Sequence, residues 1–350
     1  MAQGPDGRIT TNLLTGFLGS GKTLLLSRLL QLPNLSDTAV LINEFGEFGL
    51  DHLLLERVDD DIVLLESGCI CCTIRSDLKD AMVRLLGRMH RGDVPPFSRL
   101  VIETTGLADP APIVATVNAD IILRHHFRIG NVVTLVDAVS GRDNLANHPE
   151  AAKQVAVADR IVISKTDLAS GPCVSRLRQQ IGTLNPTAEI EQSSEDSRVA
   201  AGLLSDDIHS DRSRADVVER WLRASSDGHP HADHDGGIRA FSITSNSPLD
   251  WAAFGLWLSM LLNRHGTQVL RVKGLLNIIG TDKPVVVHGV QHTIHKPDHL
   301  ESWPDGDIRS RIVFIVDGLD RDLLTRSFHA FCSLETVTPP PPSAFPQSSL

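Results

Sequence analysis

The sequence predicts an α/β protein, with a first domain built on a mostly parallel sheet and a smaller α+β domain after it. Three observations carry this. A complete phosphate-binding loop, Gly16-Phe17-Leu18-Gly19-Ser20-Gly21-Lys22-Thr23, lies between a short apolar strand and a leucine-rich helix. Short runs of Val, Ile and Leu alternate with helical stretches up to about residue 204, as βα units do. Beyond residue 238, strands meet at short turns between two helical stretches, which favours an antiparallel layer.

Ile9, Leu13 and Leu14 supply the entering strand, and Leu24, Leu25, Leu26, Leu29 and Leu30 give a helix buried on most of one side. Further strands are predicted over residues 39–43, 62–66, 100–103, 132–136 and 160–164. Most are continuous apolar runs bounded by polar residues or glycine, the pattern of strands covered on both faces. Residues 193–237 turn polar and rich in Ser, Asp and His, with room for a short helix over 217–222. Strands are then expected over 239–244, 269–279, 285–290, 293–295 and 311–316, and helices over 248–264 and 321–331. The resulting division is a first domain over 8–204, a linker over 205–237, a second domain over 238–335 and a disordered Pro/Ser-rich tail over 336–350.

Composition narrows the function classes. There are 33 basic against 43 acidic residues, a net charge of −10, which argues against a nucleic-acid-binding face. Rings for base stacking are few, with 4% aromatic residues and no tyrosine. The apolar stretches are too short or too interrupted to span a bilayer, and residues 1–8 carry no secretory pattern. Three of the five cysteines crowd into four positions, which is no disulfide framework and points to a reducing compartment. A cytoplasmic protein is expected.

The chemistry of the loop is explicit. Gly16, Gly19 and Gly21, with Ser20 between them, let backbone N–H groups surround a nucleoside polyphosphate. Lys22 reaches the outer phosphates, and the Thr23 hydroxyl can bind Mg²⁺. The helix that follows adds the positive end of its dipole. Downstream, Glu103 ends an apolar strand and Gly106 follows closely. A carboxylate there can hold Mg²⁺ through water or orient an attacking water, and Gly106 lets the backbone approach the terminal phosphate. Lys22 and Glu103 are therefore the candidate catalytic residues. After the strand over 160–163 comes Ser164-Lys165-Thr166-Asp167. Asp167 can accept two hydrogen bonds from a guanine ring N–H and amino group, and the Lys165 stem can cover the base. Ser164 stands where this pattern usually has Asn, which weakens the guanine reading; an exposed turn capped by Thr166 or Asp167 is the alternative.

Gly68-Cys69-Ile70-Cys71-Cys72 sets this chain apart from an ordinary nucleotide hydrolase. Three thiols in four residues can converge on one borderline cation such as Zn²⁺ once they deprotonate. Adjacent cysteines do not readily close a low-strain disulfide. One compact cluster leaves a coordination position for water or a partner protein, which suits a metal that must move. A redox-sensitive or buried thiol group is the alternative. The cluster follows a strand that could neighbour the phosphate loop, which would bring it near residues 43–46. His229, His231 and His234, interleaved with Asp233 and Asp235, read equally as a metal-attracting tract or a solvated loop. His288, His292, His295 and His299 do not share one helical face and read as surface or packing residues.

Taken together, these segments resemble the CobW family of P-loop GTPases, whose members are metallochaperones or their close relatives. The resemblance runs through the phosphate loop, Asn43-Glu44-Phe45-Gly46-Glu47-Phe48-Gly49-Leu50-Asp51, the cysteine motif, Glu103-Thr104-Thr105-Gly106-Leu107 and Ser164-Lys165-Thr166-Asp167-Leu168. It continues through Arg271-Val272-Lys273-Gly274 and His288-Gly289-Val290-Gln291-His292, which are similar to the CobW carboxy-terminal domain. It implies a P-loop NTPase domain and GTP hydrolysis with Mg²⁺. It also implies delivery of a metal to a client metalloprotein: usually zinc, sometimes cobalt for cobalamin synthesis or a metal for a nitrile hydratase. By position, Lys22 and Thr23 would be nucleotide and Mg²⁺ residues, Glu103 the Walker-B-like acid, and Lys165 and Asp167 the guanine readers. Cys71 and Cys72 would be the firmest metal ligands beside Cys69, with Asn43, Glu44 and Asp51 in a switch segment. A homodimer stays open. The competing reading is a metal- or redox-sensing nucleotide switch that transfers no metal.

Overall fold

The computed structural model describes residues 7–43, 62–65, 73–193, 202–204, 218 and 237–332. Among them, seven strands form a wholly parallel sheet: β1 (Ile9–Gly16), β2 (Thr38–Asn43), β3 (Ile62–Leu65), β4 (Arg99–Thr104), β5 (Phe127–Asp137), β6 (Arg160–Ser164) and β7 (Glu189–Gln192). Their order is β3-β2-β4-β1-β5-β6-β7. The alternating helices are α1 (Lys22–Leu30), α2 (Thr73–Arg91), α3 (Ala111–Ala119), α4 (Ile121–His126), α5 (Gly141–Asn147), α6 (Pro149–Val157) and α7 (Gly171–Leu184).

The near-continuous apolar strands have the physical reason expected of them, since both faces are covered. On one face Leu13, Leu41, Leu100 and Ile102 pack under Leu78, Met82 and Leu85 of α2 and Ile113 and Val117 of α3. On the other, Leu14, Val40, Ile42 and Val101 pack under Leu26 and Leu29 of α1. Two features differ from the pattern reading. β5 begins at Phe127, five residues earlier than predicted, because buried Arg128 and Asn131 interrupt its apolar run. β7 reads Glu-Ile-Glu-Gln, too short and polar to signal an interior strand; it lies at the sheet edge, where polar side chains are tolerated.

The second layer is antiparallel. β8 (Ile238–Ser245), β9 (Val269–Leu276), β10 (Val285–Val290), β11 (Thr293–Ile294) and β13 (Ser310–Asp317) run in the order β11-β10-β9-β13-β8, and β12 (Asp298–His299) pairs with β10. One face packs against α8 (Trp251–His265) and α9 (Arg321–Cys332), with Phe254, Trp257, Leu258 and Phe328 over Phe241, Val272, Ile312 and Phe314. Val218, from the stretch read as linker, is fully buried against Leu275, Val286 and Val313. No helix among the described residues is long and apolar enough to cross a membrane.

The two layers share a core: Leu270, Val290 and Ile315 join the cluster beneath α2 and α3. The face of β9 that carries Arg271, Lys273 and Leu275 alternates with Val272 and Leu276. Arg271 donates to the Val157 carbonyl oxygen at 3.1 Å and pairs with Asp159, while Lys273 lies 3.3 Å from the same carboxylate. Burial alone would raise the Asp159 carboxyl, but Arg271 and Lys273 outweigh it and hold it below the usual range.

This pairing makes the domain junction pH-dependent. Burial pushes the Lys273 ammonium down from 10.5 to about 8, and Asp159 offsets only part of that. The unfolded chain keeps the proton where the folded protein has released it, so stability from this group rises with pH from about 8 toward 10.5. Across that window the melting temperature of the wild type should climb relative to that of Lys273→Met. Parallel curves would show that the lysine is not held in this environment.

Candidate nucleotide site

Because the sheet is parallel, the carboxyl ends of β1, β2, β4, β5 and β6 share one edge, where open α/β sheets receive ligands. At the end of β1, a Cβ on Gly16 would sit 2.5 Å from the Leu135 carbonyl oxygen, so packing demands glycine. Gly19 and Gly21 face open space but have φ of +70° and +93°, so there the backbone conformation demands it. α1 begins at Lys22 with Gly21 as its N-cap and no side-chain cap, leaving its first N–H groups for an anion. The Lys22 ammonium donates to the Gly16 carbonyl at 2.9 Å and lies over its own loop.

Two contacts tie this loop to the end of β4. The Thr23 hydroxyl donates to Glu103 Oε1 at 2.8 Å, and Glu103 is buried at the end of β4. These are hard oxygen donors only, a set that fits Mg²⁺. A Cβ on Gly106 would lie 2.7 Å from the Leu18 nitrogen and 2.8 Å from its Cα, so the turn after β4 rests against the loop backbone.

At the base-reading end, the Ser164 hydroxyl donates to the Ser20 carbonyl at 2.6 Å. The residue that departs from the usual Asn therefore latches β6 to the phosphate loop. Lys165 adopts a left-handed φ of 54°, and its ammonium lies 2.6 Å from Asp137, which pairs in register with Ser164. Burial tends to raise the Asp137 carboxyl, but Lys165 and the Val139 and Ser140 N–H groups bring it below the ordinary value. Asp167 is exposed in the short turn Thr166–Leu168. Sequence reasoning missed Asp137, although an acid closing an apolar strand beside the base-reading strand is the same signal that singled out Glu103.

Thus Gly16, Gly19, Ser20, Gly21, Lys22, Thr23, Glu103, Gly106, Lys165 and Asp167 all belong to loops, strand ends or the first turn of α1 on one edge of the sheet. Cys69, Cys71, Cys72, Glu44, Asp51 and the tract at His229, His231 and His234 lie outside the described residues. The strand leading to the cysteines does not neighbour β1. β2 and β4 stand between, and an edge strand three places away lies about 14 Å off at the usual strand spacing. β3 pairs instead with β2, Leu65 opposite Asn43. Among the described residues, no three His, Cys, Asp or Glu side chains gather to hold a metal. His288 is buried and His292 bonds the Leu262 carbonyl oxygen, which are packing roles.

Residues 10–192 match the family model of the CobW/HypB/UreG nucleotide-binding domain. The chain belongs to this family. Residues 238–332 match the cobalamin synthesis protein CobW C-terminal domain. The chain is 32% identical over 320 residues to the zinc chaperone YjiA of Escherichia coli K12, covering 91% of this chain and 98% of that protein. It is 29% identical over 356 residues to a zinc chaperone CobW of Sinorhizobium sp., covering 92% and 96%. The fold is similar to the crystal structure of Zn(II)-bound YjiA GTPase from E. coli, with TM-score 0.67, 26% identity and coverage of 93% and 99%. The CobW-type second layer thus accompanies a P-loop nucleotide domain across nearly the full length of these relatives.

The Ser164 latch gives a direct test of the site. Ser164→Ala leaves the Ser20 carbonyl without its buried donor, and GDP binding should weaken about tenfold. Calorimetric titration would show it, and unchanged affinity would mean the latch does not shape the loop.

Proposed function

We propose that this CobW-family protein hydrolyses GTP and uses the cycle to carry zinc on Cys69, Cys71 and Cys72 and pass it to a client protein. The observation that carries the reading is the register of β2 and β3. Asn43 and Leu65, the last described residues before the switch-like segment and the cysteine segment, are paired at the carboxyl edge of the sheet that bears the phosphate loop. The names of the relatives, zinc chaperones of similar length, support zinc as the cargo.

In this reading Lys22 leaves the Gly16 carbonyl for the outer phosphates, and the α1 N-terminus and the glycine loop neutralise their charge. Thr23 and, through water, Glu103 would hold Mg²⁺, which supplies charge neutralisation between the phosphates when bound. The Gly106 N–H approaches the γ-phosphate, and Glu103 sits where it can also orient the attacking water. Asp137 braces Lys165 as a shelf beneath the base, and Asp167 reads the guanine edge. γ-Phosphate orders the stretch through Glu44 and Asp51. Its loss releases that stretch and loosens the thiolates, as order–disorder switches do.

Base selection is testable by exchange of hydrogen-bond roles. A carboxylate at position 167 needs two donors, whereas an amide offers one donor and one acceptor, which match the ring N–H and the 2-carbonyl of xanthine. Asp167→Asn should lose GTP turnover at least about hundredfold and gain xanthosine triphosphate turnover. A variant that still prefers GTP would remove Asp167 as the reader. For the cargo, Cys71→Ser with Cys72→Ser should abolish tight zinc binding by the purified chain; unchanged stoichiometry would reject the thiolate site.

A further inference from the structure

The turn that joins β4 to α3, residues 105–110, is held from three sides. Gly106 rests on the Leu18 backbone of the phosphate loop. From below, Gln154 of α6, which is 1% exposed, donates through Nε2 to the Gly106 carbonyl at 3.1 Å and the Ala108 carbonyl at 3.0 Å. Its backbone carbonyl accepts the Thr134 hydroxyl at 2.9 Å, which fixes α6 on β5. The other amide atom, Gln154 Oε1, and the Ser20 hydroxyl are buried without a hydrogen-bond partner among the described residues. Both residues border a cavity of about 10 Å³, room for one water between the phosphate loop, β5 and α6.

The third support comes from the second layer. Gln291 Nε2 donates to Asp109 Oδ2 at 3.0 Å, while Asp109 Oδ1 accepts the Ala111 N–H that starts α3. Gln291 directly follows β10 and has a φ of 48°, a conformation that residues other than glycine keep only where their surroundings hold them. Val290, immediately before it, belongs to the core shared by the two layers. The turn that meets the γ-phosphate is therefore bonded directly to the strand system of the second domain.

We propose that Gln154 is a positioning residue that holds Gly106 in place for the γ-phosphate, and that the Asp109–Gln291 bond transmits the position of this turn to β10. The second domain then senses which nucleotide is bound. This rests on the GTPase reading above. Gln154 fixes two carbonyls of a six-residue turn, so the Gly106 N–H is pre-aimed rather than ordered at the moment of binding. When the γ-phosphate leaves, the turn loses one of its partners, and the displacement is shared with Gln291 because only Leu107 and Ala108 lie between Gly106 and Asp109, with the Gly106 and Ala108 carbonyls on one Gln154 amide.

The test uses the full chain with GDP and with a non-hydrolysable GTP analogue, reading hydrogen exchange over Val285–Val290 together with GTP turnover. In the wild type, exchange there should differ about threefold or more between the two nucleotides. Gln291→Asn tolerates the left-handed backbone but is too short to reach Asp109. It should abolish the difference with both nucleotides at saturation, so that any change in KM for GTP is read separately from the loss of coupling. Gln154→Met keeps length and loses the donor; GTP-analogue affinity should fall about tenfold with GDP affinity nearly unchanged. Equal loss for both nucleotides would reduce Gln154 to a packing role. Equal exchange in the two nucleotide forms of the wild type, or a difference that survives Gln291→Asn, would overturn the coupling and leave the GTPase reading intact. Failure of the wild type to bind either nucleotide would overturn that reading and this one with it.

Discussion

The close approach of Gly106 to the Leu18 backbone is the constraint on which the rest of the site depends. No side chain fits between the turn after β4 and the phosphate loop, so the two surfaces cannot move independently. The Thr23–Glu103 and Ser164–Ser20 contacts extend the same arrangement along the sheet edge, joining three strand ends around one loop. Packed contacts of this kind have few intermediate positions, which is why a small change at a phosphate can become a discrete change elsewhere.

How far the sequence discloses this arrangement depends on where each requirement is encoded. The phosphate loop is legible because its glycines answer a local demand: left-handed φ at Gly19 and Gly21, a backbone neighbour at Gly16. The parallel sheet is legible because strands covered on both faces need uninterrupted apolar runs. The role of Ser164 is not, because its value lies in a contact with Ser20, 144 residues earlier in the chain. Gln154 leaves no sign in the sequence of α6, since only the folded turn shows which carbonyls need its amide. The sequence allows the strand before the cysteines to neighbour the phosphate loop, whereas the strand order inserts β2 and β4 between β3 and β1. Pattern identifies strands; their order is a property of the whole sheet.

Arg271 and Lys273 illustrate a third case. Alternation along β9 places both on the face turned toward the first domain, where they would be costly without Asp159. A buried charge pair of this sort adds little net stability over an apolar contact. Together with Asp109 and Gln291, it places β9 and β10 in polar contact with the loops around the nucleotide domain. The second layer is therefore bonded directly to the turn after β4.

The account depends on nucleotide state altering how firmly a cation is held, and a ligand can shift such an equilibrium only through its differential affinity for the two states. The most direct measurement is a competitive Zn²⁺ titration of the purified chain bound to a non-hydrolysable GTP analogue and, separately, to GDP. Zinc should bind about tenfold or more tightly in the triphosphate form, within the ordinary range of coupling between two sites. Identical zinc affinity in both forms would contradict the account, leaving a nucleotide hydrolase whose cysteines answer to something else.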